Sequence, residues 1–218
     1  MKKYKAVIFD MDGTILDTLG DLTSAVNVML THFGYPECMP DKVRQSTGNG
    51  VIKLMDGVIP GGEDNPRFRE MTEYYVEYYS AHALDRTAPY EGISPLFSEL
   101  KKNGIKCAVV SNKMHRAVVE LTKIFFPDAD YSCGEREEDG IRRKPFPDMV
   151  FDCLRAVGVS PEDAVYVGDS EVDVATAKNS GLDCISVLWG FRDENELREC
   201  GARTFAKTTK ELSDLLIG

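Results

Sequence analysis

Hydrophobic and polar positions follow two textures along this chain. Ala6-Val7-Ile8-Phe9 is a short unbroken apolar run, as expected for a strand buried on both faces of a parallel sheet. Over residues 17–88 the pattern turns helical. Leu22, Val26, Met29, Leu30 and Phe33 share one face before Gly34-Tyr35-Pro36 stops the helix. Shorter helices are expected over 40–45 and 51–58, flanking the loop Ser46-Thr47-Gly48-Asn49-Gly50, and the longest over 67–82. There Tyr74, Tyr75, Tyr78 and Tyr79 recur at a spacing of four, which suits packing in a helical bundle or against a neighbouring domain. After Pro89-Tyr90-Glu91-Gly92 helices and strands alternate, the signature of a parallel α/β sheet. Helices are expected at 95–102, 116–125 and 148–157, and strands at 105–110, near Tyr131, at 164–167, at 183–188 and near Phe205, with a closing helix. The pattern predicts an α/β core from residues 1–16 and 89–218, interrupted by a helical insertion over 17–88.

A chain of 218 residues, 43% of them hydrophobic, is long enough to bury a substantial core. The basic start Met1-Lys2-Lys3-Tyr4-Lys5 is followed by an apolar run too short for a signal peptide, and no stretch is long enough to span a membrane. A cytoplasmic protein with no membrane partner is the expectation. Cys38, Cys107, Cys133, Cys153, Cys184 and Cys200 are dispersed without a Cys-x-x-Cys, so reduced thiols are expected rather than disulfides or zinc. A formal charge of −10 argues against nucleic acid, since phosphate-backbone binding needs a basic face and Arg142-Arg143-Lys144 is a small cluster.

Three apolar runs end in polar residues that a parallel sheet would bring to one edge: Asp10 with Asp12, Ser111 with Asn112, and Asp169. Ligands of open α/β sheets bind outside the carboxyl ends of the strands. Residues two apart in extended chain point the same way, so Asp10 and Asp12 can address one reacting group. Gly13 then permits a tight turn and close approach of backbone N–H groups to an anion. An EF-hand reading of Asp10-x-Asp12-Gly13 finds too few oxygen ligands in Thr14, Ile15 and Leu16 and no closing glutamate. Plainer roles exist for the others. Ser111 suits a strand-end turn, Lys144 a solvated basic loop, Asp173 a helix N-terminus, and Gly48-Asn49-Gly50 a helix-helix turn. His32, His82 and His115 lack ligand spacing, and only His115, near Ser111, would border the site.

The set Asp10-x-Asp12-Gly13-Thr14, then Ser111, then Lys144, then Gly168-Asp169-Ser170-x-x-Asp173 resembles the haloacid dehalogenase superfamily, which is mostly phosphatases. Asp17-Thr18-Leu19-Gly20-Asp21-Leu22, Gly48-Asn49-Gly50, Lys144-Pro145-x-Pro147 and Trp189-Gly190-Phe191-Arg192 are similar to its phosphoglycolate phosphatase branch. The resemblance implies a doubly wound, Rossmann-like parallel sheet with a small helical cap inserted after the first strand. It further implies a magnesium-dependent phosphatase of a small phosphorylated metabolite. Asp10 would be the nucleophile and Asp12 the general acid-base. Lys144 and Ser111 would hold the transferring phosphoryl group, with Asp10, the Asp12 carbonyl and Asp169 on Mg²⁺. Gly13, Thr14 and Asn112, together with Arg44, Gly48, Asn49 and Gly50 of the cap, would contact substrate, with Ser170 and Asp173 in support. A phosphosugar mutase shares the aspartyl-phosphate and is the nearest rival. A metabolite-binding protein without catalysis has no use for an acid beside a nucleophile. The sequence does not specify an oligomeric state.

Overall fold

The computed structural model describes residues 3–218, so Met1 and Lys2 of the basic start lie outside the described residues. The chain divides into two compact units, one running to Leu16 and resuming at Pro89, the other Asp17–Ala88.

In the first unit β1 (Ala6–Phe9), β4 (Lys106–Met114), β5 (Tyr131–Glu135), β6 (Ala164–Gly168), β7 (Asp183–Val187) and β8 (Thr204–Ala206) form one sheet in the order β5-β4-β1-β6-β7-β8. Every pairing is parallel. The chain winds from β1 to one side through β4 and β5, then to the other through β6, β7 and β8, so the order reverses at β1. Such a reversal opens a crevice at the carboxyl edge. Register fixes what stands there: Phe9 pairs with Val109 and with Val167, so Asp10, Val110 and Gly168 come level.

Helices cover both faces, as βαβ crossovers require. Val7 and Phe9 point into a core completed by α5 (Ile93–Lys102), α6 (His115–Phe125) and α10 (Thr209–Ile217). Ala6 and Ile8 point into the opposite core, against α7 (Asp148–Val157) and α8 (Glu171–Ser180). This two-sided burial is why β1 reads as an unbroken apolar run. Phe97 anchors the first core, stacked on Phe9 at 4.9 Å and on Phe126 at 4.6 Å between ring centroids. Helix α9 (Glu194–Glu199) completes the unit, held at its start by Asp193 accepting from the Asn195 and Glu196 N–H groups.

The second unit is all helical: α1 (Leu19–His32), α2 (Pro40–Ser46), α3 (Gly50–Val58) and α4 (Phe68–His82) enclose a separate core containing Leu22, Val26, Met29, Leu30, Met55 and Met71. Tyr75 and Tyr79 are buried in it and stack on each other at 5.7 Å, whereas Tyr74 and Tyr78 stack on His32 and His82. The buried carboxylate of Asp21 accepts from Arg86 N, Thr87 N and Thr87 Oγ1, tying α1 to the returning end of this unit. β2 (Leu16–Asp17) and β3 (Ala88–Pro89) pair as a two-stranded sheet.

Several element bounds differ from expectation. α5 begins at Ile93 rather than at Pro95, because Gly92 supplies a left-handed N-cap (φ 83°) and proline is tolerated within a first helical turn. β4 continues through Ser111, Asn112 and Lys113 to Met114, with a register shift against β5 between Val110 and Met114. All six cysteines are free, and Cys107, Cys133 and Cys153 are buried. Among the described residues no helix is long and apolar enough to cross a membrane.

Candidate active site

The carboxyl edge of β1, β4 and β6 gathers the polar residues of the core unit into a largely buried cluster. Asp10 follows β1, and its N–H donates to Val167 O of β6 at 2.9 Å. Asp169 follows β6 and Asp173 lies in the first turn of α8. Asp10, Asp169 and Asp173 each offer an oxygen within 4.8 Å of the others. Lys144 reaches in from the loop before α7. Its ammonium lies 2.7 Å from Asp10 Oδ1 and 2.8 Å from Asp173 Oδ1, with the side chain 1% exposed.

The lysine's loop is itself fixed. Asn112 Oδ1 accepts from Lys144 N at 2.8 Å, and Asn112 Nδ2 donates to Lys144 O at 3.0 Å. Asp173 accepts from Lys144 and the Tyr166 hydroxyl on Oδ1, and from Asp169 N, Ser170 N and Ser170 Oγ on Oδ2. It therefore holds the helix start and the lysine together. Gly168 is required beside it, since a Cβ there would lie 2.3 Å from that of Asp173.

Asp169 is oriented from two sides, by the Thr14 hydroxyl donating to Oδ1 at 2.9 Å and by Phe191 N donating to Oδ2 at 2.6 Å. Gly13, at φ +82°, passes so close that a Cβ would sit 2.4 Å from Asp169 Oδ2. The turn also consumes the N–H groups expected to meet an anion: Gly13 N donates to Leu16 O and Thr14 N to Met11 O. The Gly13 and Thr14 N–H groups and the Thr14 and Asn112 side chains thus make bonds within the protein, where they shape the site. Ser111 is buried in β4, its hydroxyl accepting from Lys113 N at 3.3 Å.

Asp12 stands beyond this cluster, and Lys113 Nζ approaches its two oxygens at 3.1 and 3.4 Å. Lys113, Tyr166 and Phe191 were not assigned roles from the sequence. Lys113 adjoins Ser111 and Asn112 in β4, but Tyr166 sits in an apolar run and reads as core, and Phe191 contributes its backbone N–H. His115 is taken up elsewhere, its Nδ1 accepting from Gly134 N. Arg44, Gly48, Asn49 and Gly50 belong to the helical unit. Arg44 lies on α2 beside Asp41, Gly48 has φ +122°, Asn49 is the N-cap of α3 and Gly50 its first residue.

Charge decides what else the cluster accommodates. Three buried carboxylates face one buried ammonium, and an uncompensated buried charge is costly. Burial, and next the charge of Asp173, push the Asp10 carboxyl up to about 7. Burial and the charges of Asp173 and Asp10 also raise Asp169 well above the usual carboxylate range. Burial works against the Lys144 ammonium, yet Asp10 and Asp173 more than offset it and hold its pKa well above the ordinary value. Asp10 Oδ1 is buried, with the Lys144 ammonium 2.7 Å away as its ion-pair partner. Hard oxygen donors and excess negative charge suit a divalent cation. The carboxylates within reach of such an ion are Asp10, Asp169 and Asp173.

Residues 7–187 match the family model of haloacid dehalogenase-like hydrolases. The chain belongs to that family. Among curated relatives of this hydrolase, the phosphoglycolate phosphatase of Chromobacterium violaceum is 29% identical over 99% of this chain and 98% of its own length. Phosphoglycolate phosphatase 1 of Pseudomonas aeruginosa is 33% identical over 89% of this chain and 73% of its own length. A crystal structure from Lactobacillus delbrueckii subsp. bulgaricus, provisionally named a phosphoglycolate phosphatase, superposes with a TM-score of 0.92 at 38% identity over 99% of both chains. The hydrolase thus stands in the phosphatase part of its family. Another relative is the N-acetylmuramic acid 6-phosphate phosphatase of Pseudomonas aeruginosa, 26% identical over 98% of this chain, so the substrate varies among its relatives.

Proposed function

We propose that this hydrolase is a cytoplasmic, magnesium-dependent phosphatase of a small phosphorylated metabolite, with 2-phosphoglycolate the leading candidate. The observation that carries the reading is the Asp10–Lys144–Asp173 arrangement: a buried carboxylate at the sheet's switch point, backed by a lysine that a second carboxylate holds in place. Asp10 is the nucleophile. Its oxygen forms a bond to phosphorus while the ester oxygen leaves and takes a proton from Asp12, giving an alcohol and an aspartyl-phosphate. Asp12 then takes a proton from water as the water oxygen attacks phosphorus, the Asp10–phosphorus bond breaks and inorganic phosphate is released. Lys144 lowers the repulsion between the Asp10 carboxylate and the approaching dianion, and stabilises the charge spread over the transferring oxygens. Ser111 donates to the phosphoryl group, while Thr14, Asn112, Ser170 and Asp173 keep Asp169 and Lys144 in position. When bound by Asp10, Asp169 and the Asp12 carbonyl, Mg²⁺ supplies further neutralising charge. The helical unit acts as the cap, with Arg44 and Gly48-Asn49-Gly50 contacting the part of the substrate beyond the phosphate.

Purified protein offered a panel of phosphorylated metabolites with Mg²⁺ tests this. Phosphate release is expected, fastest for small anionic monoesters, abolished in Asp10→Asn and suppressed by excess chelator. Conversion of a sugar phosphate to its isomer without phosphate release would make the protein a mutase instead, and full turnover in excess chelator would overturn the metal dependence.

A further inference from the structure

Lys113 is the second lysine of the site, and its surroundings differ from those of Lys144. Lys144 is shared between Asp10 and Asp173, leaving it committed away from Asp12. Lys113 instead spans both oxygens of Asp12, at 3.1 and 3.4 Å, and the two side chains are only 7% and 13% exposed. The backbone on each side is constrained. Asp12 bridges to Leu16, with the Gly13 N–H bonded to Leu16 O, so the main variables left to the aspartate are its side-chain torsions. Lys113 leaves β4 within the register shift between Val110 and Met114, and bulges of this kind re-aim side chains beside active sites.

We propose that Lys113 is a positioning residue for the Asp12 carboxylate, fixing its orientation for proton exchange with the leaving oxygen and with water. The proposal rests on the reading of Asp12 as the acid-base group. A misplacement of about 1 Å costs on the order of 100-fold in rate, so loss of the ammonium should register in the steps that use Asp12 and leave the others alone.

The experiment measures both half-reactions of the Mg²⁺-loaded enzyme by rapid quench, using an activated aryl phosphate whose leaving group needs no proton. In Lys113→Met, aspartyl-phosphate breakdown is expected to slow on the order of 100-fold, with the rate of the aryl burst and kcat/KM little changed and KM falling together with kcat. Lys113→Arg should recover much of the loss. In an Asp12→Asn background Lys113→Met should cost nothing further, because a residue acting through Asp12 has nothing left to position. Equal slowing of burst and breakdown, wild-type breakdown in Lys113→Met, or a second full loss in the Asp12→Asn background would overturn the proposal. If the methionine variant does not fold, Lys113→Gln carries the same comparison. Absence of any turnover by the wild-type protein is a separate result, and rejects the phosphatase reading together with this one.

Discussion

Removing divalent cation should leave a protein whose stability falls as pH rises, opposite to the usual behaviour of paired carboxylates. The Asp10 carboxyl is pushed from an ordinary value of 3.8 up to about 7, burial contributing most and the Asp173 charge next. A folded-state pKa above the unfolded one means that the native state holds more protons across this window. Its contribution to stability is fully present below pH ~4 and is lost as pH rises through about 7. At 1.36 kcal/mol per pH unit, a rise from 3.8 to about 7 is on the order of 4 kcal/mol, equivalent to roughly 10 °C in Tm for a chain of this size. Asp169 is raised in the same direction and adds to the slope. Thermal unfolding of chelator-treated protein from pH 5 to 8 measures this, with Asp10→Asn as the reference that lacks one titrating carboxylate. The wild type should lose stability across that range while the variant loses less, becoming the more stable of the two near pH 8. Mg²⁺ should remove most of the wild-type deficit, and its binding near pH 6 should release protons, seen in calorimetry as a heat that depends on the buffer's ionisation enthalpy. A flat profile in metal-free wild type, or an undiminished slope in Asp10→Asn, would refute the account of buried charge in this site.

Three further outcomes are expected. Asp12→Asn with an activated aryl phosphate should give a burst of released alcohol followed by a slow phase, with phosphate trapped on Asp10 and visible by mass spectrometry; near-normal steady-state turnover without a burst would remove Asp12 from the acid-base role. Changes at Arg44 or in Gly48-Asn49-Gly50 should alter discrimination among natural substrates more than turnover of a small artificial ester, because a truncated substrate makes fewer remote contacts, and equal losses on both would reject the cap assignment. Phe97→Ala should destabilise the core unit by about 3–5 kcal/mol in denaturant unfolding, since it removes a ring stacked on both Phe9 and Phe126 and leaves a cavity, whereas a loss below about 1 kcal/mol would mean that the core collapses to fill it.

What could be read from the sequence was whatever leaves a local mark. β1 was legible because burial on both faces forces an unbroken apolar run. The ends of β1 and β6 were legible because polar residues follow their apolar runs abruptly, at Asp10 and, past Gly168, at Asp169. The all-helical stretch showed the same way, through the spacing of Leu22, Val26, Met29 and Leu30 on one face. Bounds failed where one residue overrides the pattern. Gly92 starts α5 two residues ahead of the proline that seemed to mark it, and β4 carries polar residues past the point where its apolar run stops.

The site's internal bonding was far less legible, because it depends on pairs distant in sequence and on backbone atoms that carry no residue-specific signal. Thr14 reads as a turn residue until β6 brings Asp169 to its hydroxyl, 155 positions away. Phe191 contributes through its N–H, which any residue but proline would supply. Tyr166 has the outline of a core aromatic and spends its hydroxyl on Asp173 and on Val110 O. Asn112 offers the sharpest contrast. At a strand end it looks like a substrate ligand, yet both ends of its amide bind the backbone of Lys144, 32 residues on. The reacting groups are therefore few and announce themselves by type and position, whereas the groups that hold them are selected only by fit. It follows that Asn112→Ala should lower turnover by displacing Lys144 rather than by losing a substrate contact. That mode of action predicts a fall in kcat across all substrates with little discrimination between them, and a KM effect confined to one substrate class would count against it.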